Sequence, residues 1–189
     1  MGVNLMNDYY DIKIGNCSRR LKLVKSDTIS YYSFNMMGDA ELNKEAAIEL
    51  AKLIKNIDVI VTVESKAIGL AEEVSQLLGF KRYIIVRKTR KSYMDNIVSM
   101  SGDTIISGSA NYYLDGRDVD YLKGKRILVL DDVVSTGGTI DAIYRLLSKC
   151  NLNIVSFACV CFEGKKTTEI HQIPVLSCAF FPLPEADND

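Results

Sequence analysis

Apolar positions in the middle of the chain recur with two alternating spacings. Between Asn43 and Lys55, Ala47, Leu50, Ala51 and Ile54 fall on one helical stripe. The next apolar run, Ile57–Val63, is short and nearly continuous, the pattern of a strand buried on both faces. Ala67, Leu70, Ala71, Val74 and Leu78 return to the helical spacing, and Gly79 predicts where that helix stops. Tyr83–Val86 and Arg126–Leu130 read as further strands, and Ile140, Ile143, Tyr144 and Leu147 as the stripe of the helix that follows. Asn153–Phe162 closes the series as another buried strand. Strand and helix in alternation imply an α/β fold, a parallel sheet with helices on both faces.

Two regions break this rhythm. Residues 1–40 read as irregular or short-stranded, with aromatic pairs at Tyr9/Tyr10 and Tyr31/Tyr32. Residues 92–124 form a long insertion between two core strands, mixing Ser and Gly with short β-prone pieces; Tyr112 and Tyr113 near its end are expected in a strand. A connection of that length in a compact domain is typically functional or mobile. No repeat, low-complexity stretch or Pro/Gly linker divides the 189 residues, so a single domain is expected.

Composition narrows the class. Charged residues make up 25% and hydrophobic ones 48%, the balance of a soluble globular chain. The formal net charge of -1 supplies no overall basic field to recruit nucleic acid or an anionic membrane, so any anion must be held by local geometry. No apolar run is long enough to span a bilayer, the start lacks a signal-peptide pattern, and Met6 stands where myristoylation after Gly2 wants a hydroxyl, so the expected location is the cytoplasm. Cys17, Cys150, Cys159, Cys161 and Cys178 are an odd number in apolar surroundings and read as reduced, buried thiols. Cys159 and Cys161, two apart in a strand, are expected to share a face, but only His171 lies nearby as a further soft ligand, which disfavours a zinc site.

The candidate chemistry lies at Val129–Thr139, "VLDDVVSTGGT". Ligands in parallel-sheet folds gather at the carboxyl ends of the strands, and Asp131 and Asp132 occupy such an end. The loop after them opens a helix whose first amides point outward with partial positive charge, while Gly137 and Gly138 let a ligand approach the backbone closely. Ser135, Thr136 and Thr139 add hydroxyls. The same residues also suit an ordinary helix cap and a tight turn. Two carboxylates at the end of a buried strand cost desolvation, however, and call for a cation or donors. No G-x-x-x-x-G-K-[ST] and no G-x-G-x-x-G after the first strand is present, which argues against an ordinary triphosphatase and a dinucleotide site. A sugar phosphate fits, with its phosphate on the loop and its diol on the carboxylates.

Ile127–Thr139 closely resembles the 5-phosphoribosyl-1-pyrophosphate (PRPP) motif of the type I phosphoribosyltransferases. Two other stretches agree in order. Val61–Gly69, "VTVESKAIG", is similar to the family's pyrophosphate loop, and Ile85–Lys91, "IVRKTRK", to the "VRK" segment of its purine enzymes. The resemblance runs from about Phe34 to Phe162. It implies a Rossmann-like parallel sheet flanked by helices, with 41–164 as core, residues 1–40 and about 165–189 as a small hood, and 92–124 as a flexible catalytic insertion. It further implies transfer of the 5-phosphoribosyl group from PRPP to a purine base with release of pyrophosphate, Mg²⁺ as cofactor and a homodimer, as in purine salvage. Adenine is the first expectation. Hypoxanthine/guanine or xanthine are the alternatives, and a PRPP-binding regulator that performs no transfer is the rival of another class.

By the same resemblance, Asp131 and Asp132 meet the ribose hydroxyls directly or through metal-bound water, and Val134, Ser135, Thr136, Gly137, Gly138 and Thr139 hold the 5′-phosphate. Glu64, Ser65, Lys66 and Ala67, with Arg87, Lys88 and Lys91, surround the pyrophosphate, and Phe34 or a nearby Tyr stacks on the base. No protein-only metal site is expected. Adenine-type members carry Ala-Arg-Gly where this chain has Ser65-Lys66-Ala67; lysine meets pyrophosphate as a point charge without a guanidinium's fork. Tyr31–Asp39, where the hood begins, matches the adenine pattern only loosely.

Overall fold

The computed structural model describes residues 8–25, 29–104 and 108–184. Gly2 and Met6, the insertion's tip at 105–107 and the end of the C-terminal segment at 185–189 lie outside the described residues.

Alternating burial makes the first segments into an antiparallel sheet with one wet face. β1 (Tyr9–Ile14), β2 (Cys17–Lys25) and β3 (Ser30–Ser33) pair in that order. In β2, Cys17, Leu21 and Leu23 are buried while Ser18, Arg20 and Lys22 are exposed, the period-two pattern of a half-buried strand. Arg19 reaches from this sheet to Asp39 (2.7 Å) and Glu41 (2.8 Å) at the start of α1 (Ala40–Leu53). Asp39 caps that helix, accepting from the Leu42 amide at 3.0 Å.

The core then alternates as the spacing predicts: β4 (Val59–Val63), α2 (Ile68–Leu77) and β5 (Ile84–Val86). Every residue of β4 is buried, and Gly79, at φ +74°, follows the end of α2 as a residue without Cβ strain. The insertion holds β6 (Val98–Thr104), β7 (Gly108–Leu114) and α3 (Gly116–Leu122). β8 (Arg126–Val134), α4 (Gly138–Lys149), β9 (Asn153–Glu163), β10 (Glu169–Ile170) and β11 (Ile173–Phe181) complete the chain. The central sheet has the order β10-β11-β9-β8-β4-β5, parallel except for β10. α1, α2 and the N-terminal sheet share one apolar core on one face; α3, α4 and the β6–β7 hairpin cover the other.

Polar ties fix the register of β4 against β8. At their amino ends Asp58 accepts from the Arg126 side chain at 2.7 and 3.0 Å and from its amide at 2.8 Å. At the other end the buried Thr62 hydroxyl donates to the Leu130 carbonyl at 2.9 Å, one residue before Asp131.

Two expectations need correction. The C-terminal segment is not wholly peripheral, because β11 runs parallel to β9 inside the central sheet. Of its residues only Val175 and Phe181 are buried, so the segment lacks the unbroken apolar run that marks β4. Cys159 and Cys161 do not share a face: Ala158, Val160 and Cys161 pack with the α1/α2 core, while Cys159 and Phe162 pack with the α4 core. Strict alternation breaks at Val160–Cys161. The β-prone pieces of the insertion pair as a hairpin, with Tyr112 and Tyr113 in β7 and Tyr112 and Leu114 fully buried. It docks on α4 so closely that a Cβ on Gly102 would stand 2.5 Å from that of Ala142. Gly102→Ala is therefore expected to loosen the hairpin from α4 and cost about 1–3 kcal/mol, read as a lower midpoint in urea unfolding; an unchanged midpoint would show that the docking is slack.

Candidate active site

Parallel topology puts the start of each following helix at the carboxyl end of the sheet, so α2 and α4 both present their positive ends there. Gly137 (φ +82°) precedes α4 and Ala67 precedes α2, and neither position makes a side-chain cap bond, in contrast to Asp39 at α1. The first amides of α4 are thus open to an anion, framed by Ser135, Thr136, Gly138 and Thr139. Val134 ends β8 and is buried, anchoring the loop from below. The Tyr112 hydroxyl is buried near Thr139 without a hydrogen bond of good geometry, which places the insertion hairpin against the same loop.

Asp131 and Asp132 diverge as strand neighbours do. Asp131 lies on the α4 side, where its charge acts on Cys159 and Tyr112. Asp132, 7% exposed, lies towards Cys161 and the α1/α2 side. The Asp132 amide donates to Asp131 Oδ1 at 3.0 Å. Lys66 Nζ stands 3.6 Å from Asp132 Oδ2, yet that oxygen is buried with no hydrogen-bond partner. Burial, and then the adjacent Asp132 carboxylate, push the Asp131 carboxyl well above the ordinary range, against a smaller opposing pull from Lys88.

β5 delivers the remaining charge. Glu64 spends both oxygens on this neighbour, accepting from Arg87 Nη1 at 3.1 Å and from the Lys88 amide at 3.0 Å. It positions those two residues rather than facing an anion itself. The peptide between Glu64 and Ser65 is cis, and Ser65 and Lys66 are exposed on the turn into α2. Lys88 is exposed near Asp131, whereas Lys91 belongs to the turn beyond, where its amide donates to Met94 Sδ at 3.4 Å. Phe34 departs from expectation. It is 5% exposed and stacks on Phe181 at a centroid separation of 6.2 Å, so the core claims the ring that a base was expected to meet.

The phosphoribosyl transferase domain family matches residues 39–181, most of the chain. The chain belongs to the phosphoribosyltransferase family. It is a pentosyltransferase. Among curated relatives it is 37% identical over 133 residues to a hypoxanthine/guanine phosphoribosyltransferase of Methanotorris igneus, covering 68% of this chain and 69% of that one. Another hypoxanthine/guanine phosphoribosyltransferase, from Methanococcus voltae, is 29% identical over 78% of this chain and 73% of its own length. Among solved structures, the adenine phosphoribosyltransferase of Thermoanaerobacter pseudethanolicus superposes with a TM-score of 0.67 at 20% identity, covering 85% of this chain and 95% of that one. That likeness carries the type I fold.

Two residues at this phosphoribosyltransferase's strand ends escape a reading of its motifs. Thr62 pins the carbonyl before the acid pair. Glu163 ends β9 half-buried, one residue past the Val134–Phe162 pair; burial pushes its carboxyl up, against smaller pulls from the Ser135 hydroxyl and the Lys66 charge. A sequence signal for Glu163 exists: "VCFE" ends a buried apolar run in an acid, as "LVLD" does.

The raised Asp131 carboxyl has a stability consequence. The folded protein holds the proton at a pH where the unfolded chain, near 3.8, has lost it, so stability falls as pH rises through the folded value. Asp131→Asn, neutral throughout, is expected to melt higher than wild type at pH 7, with the gap closing as the pH approaches 4; a variant that melts lower at pH 7 would contradict a strained, desolvated carboxylate.

Proposed function

We propose that this enzyme transfers the 5-phosphoribosyl group of PRPP to hypoxanthine or guanine, forming the nucleoside monophosphate and pyrophosphate. The observation that carries the reading is the acid pair beside an uncapped helix: two carboxylates for a sugar's diol, and open α4 amides for its terminal phosphate. A ring nitrogen of the base bonds to C1 of the ribose, the C1–O bond to pyrophosphate breaks with its electron pair, and the proton on that nitrogen passes to solvent. Such displacements develop positive charge on the sugar. The Asp131/Asp132 pair lies where carboxylate charge stabilises the positive charge as it develops. Lys66, Arg87 and Lys88 gather on the β4 and β5 side, where the departing pyrophosphate needs cations, and Glu64 keeps Arg87 and Lys88 in place. Val134–Thr139 anchor the 5′-phosphate, so that C1 is presented at a fixed distance from it.

Among the described residues no group of three or more His, Cys, Asp or Glu is placed to hold a metal. Asp132 Oδ2, buried and unpartnered, is nonetheless a hard oxygen donor of the kind Mg²⁺ takes when most of its ligands are substrate oxygens and water. The residues fit that ion, which would neutralise pyrophosphate as it leaves. A homodimer is part of the same reading.

Hypoxanthine/guanine replaces adenine, the base first expected, because the support is unequal. The relatives at 29–37% identity carry the former name, whereas the adenine enzymes are matched in fold at 21% identity or less. Incubation with PRPP, Mg²⁺ and each purine in turn, followed by pyrophosphate release, tests the choice. Hypoxanthine and guanine are expected to exceed adenine by about 10-fold or more in kcat/KM. Faster turnover of adenine would reverse the assignment, and PRPP binding without release for any base would make the protein a regulator. Asp131→Asn combined with Asp132→Asn is expected to lower kcat/KM by about 100-fold or more while the chain still folds; wild-type rates in that variant would remove the acids from the mechanism.

A further inference from the structure

The chemistry above leaves Glu163 without a task, although it is a further carboxylate at the carboxyl ends of the strands. Its Oε1 is buried with no hydrogen-bond partner. Burial raises its pKa, with the Ser135 hydroxyl and the Lys66 charge pulling the other way. A buried, unpaired carboxylate oxygen is costly and rare in the absence of a ligand or water to satisfy it.

The order of strands says which part of the substrate comes closest. Ser65 and Lys66 follow β4, and Arg87 and Lys88 follow β5, so the leaving pyrophosphate lies on that side of β8. The ribose sits over Asp131 and Asp132 at the end of β8. Displacement at an anomeric carbon brings the incoming group from the face opposite the leaving group. The base therefore arrives from the other side of β8, which is β9, and Glu163 is the residue at the end of β9. The register sets Phe162 opposite Val134, so Glu163 falls level with Ser135, where the phosphate loop begins.

We propose that Glu163 reads the base, accepting a hydrogen bond from N1–H of a 6-oxopurine and, when the base is guanine, a second from its 2-amino group. This rests on the hypoxanthine/guanine reading given above. An ionised carboxylate only accepts. Hypoxanthine and guanine both carry a proton on N1, whereas adenine presents a lone pair there, which would face the carboxylate oxygen and leave both unpaired. A site built to meet a donor rejects an analogue that lacks it. Guanine, with two donors on one edge, gains most.

Glu163→Gln separates this role from its alternatives. The amide keeps the size, offers one acceptor and one donor, and suits adenine's N1 and 6-amino group. With saturating PRPP and Mg²⁺, kcat/KM for guanine is expected to fall about 100-fold, that for hypoxanthine less, and that for adenine to rise, while KM for PRPP changes less than about 3-fold. A raised KM for PRPP with the three bases affected alike would overturn the proposal and make Glu163 a support of the phosphate loop through Ser135. Equal losses for guanine and adenine at unchanged PRPP affinity would also overturn it. Should the amide variant fail to fold, Glu163→Asp carries the test: charge kept and reach shortened, it is expected to lose guanine more than hypoxanthine without gaining adenine, and an unchanged base preference would refute the role. Wild-type enzyme that favours adenine would bring down the 6-oxopurine reading itself, and this proposal with it, before any variant is compared.

Discussion

Two adjacent carboxylates at the end of a strand buried on both faces lose hydration and repel each other. Much of the surrounding structure answers that cost. Lys66 approaches Asp132 without closing to hydrogen-bond distance, Lys88 acts on Asp131 from the next strand but one, and two uncapped helices aim their amino ends at the same edge. The compensation is partial: Asp131 stays pushed towards its neutral form and one oxygen of Asp132 stays orphaned. A site left short of positive charge in this way is matched to a ligand that brings its own cation and its own hydroxyl donors. Stability has been given up at the place where binding restores it.

The rest of the fold keeps this edge in register. Asp58 and Arg126 lock the amino ends of β4 and β8, Thr62 holds the carbonyl next to the acids, and Glu64 fastens the end of β5 through Arg87 and the Lys88 amide. These are polar ties between parallel strands whose apolar faces are otherwise interchangeable, since Val, Ile and Leu on neighbouring strands would pack in several offsets. The hairpin inserted before β8 lies against α4, and buried Tyr112 brings it to Thr139. The phosphate loop is thus braced from beneath by β8 and from the side by the insertion.

Much of the site was legible from motifs because its parts are contiguous. The acid pair and phosphate loop lie in one stretch of chain, and local backbone chemistry explains them: glycine at a positive φ, hydroxyls, a helix start. Residues that act across the sheet were harder to see. The loop motif marks Glu64 as a ligand residue, but its partners come from β5. Phe34, aromatic and near the hood, suggests a base platform, yet Phe181, far along the chain, covers it. Glu163 carries the same signal as Asp131, an acid closing an apolar run, but nothing in one dimension says that β9 lies beside β8.

The amino-acid sequence alone determined the alternation of buried strands and amphipathic helices, the caps and turn glycines, and the chemical character of the phosphate loop, because each depends on residues within one or two turns of each other. Only the tertiary structure decided that β11 joins the central sheet, that Cys159 and Cys161 part to opposite faces, and that Lys66, Asp132, Ser135 and Glu163 meet at one edge. Those outcomes depend on which strands lie side by side. Strand order follows from the packing of whole layers, to which any single segment contributes only a share.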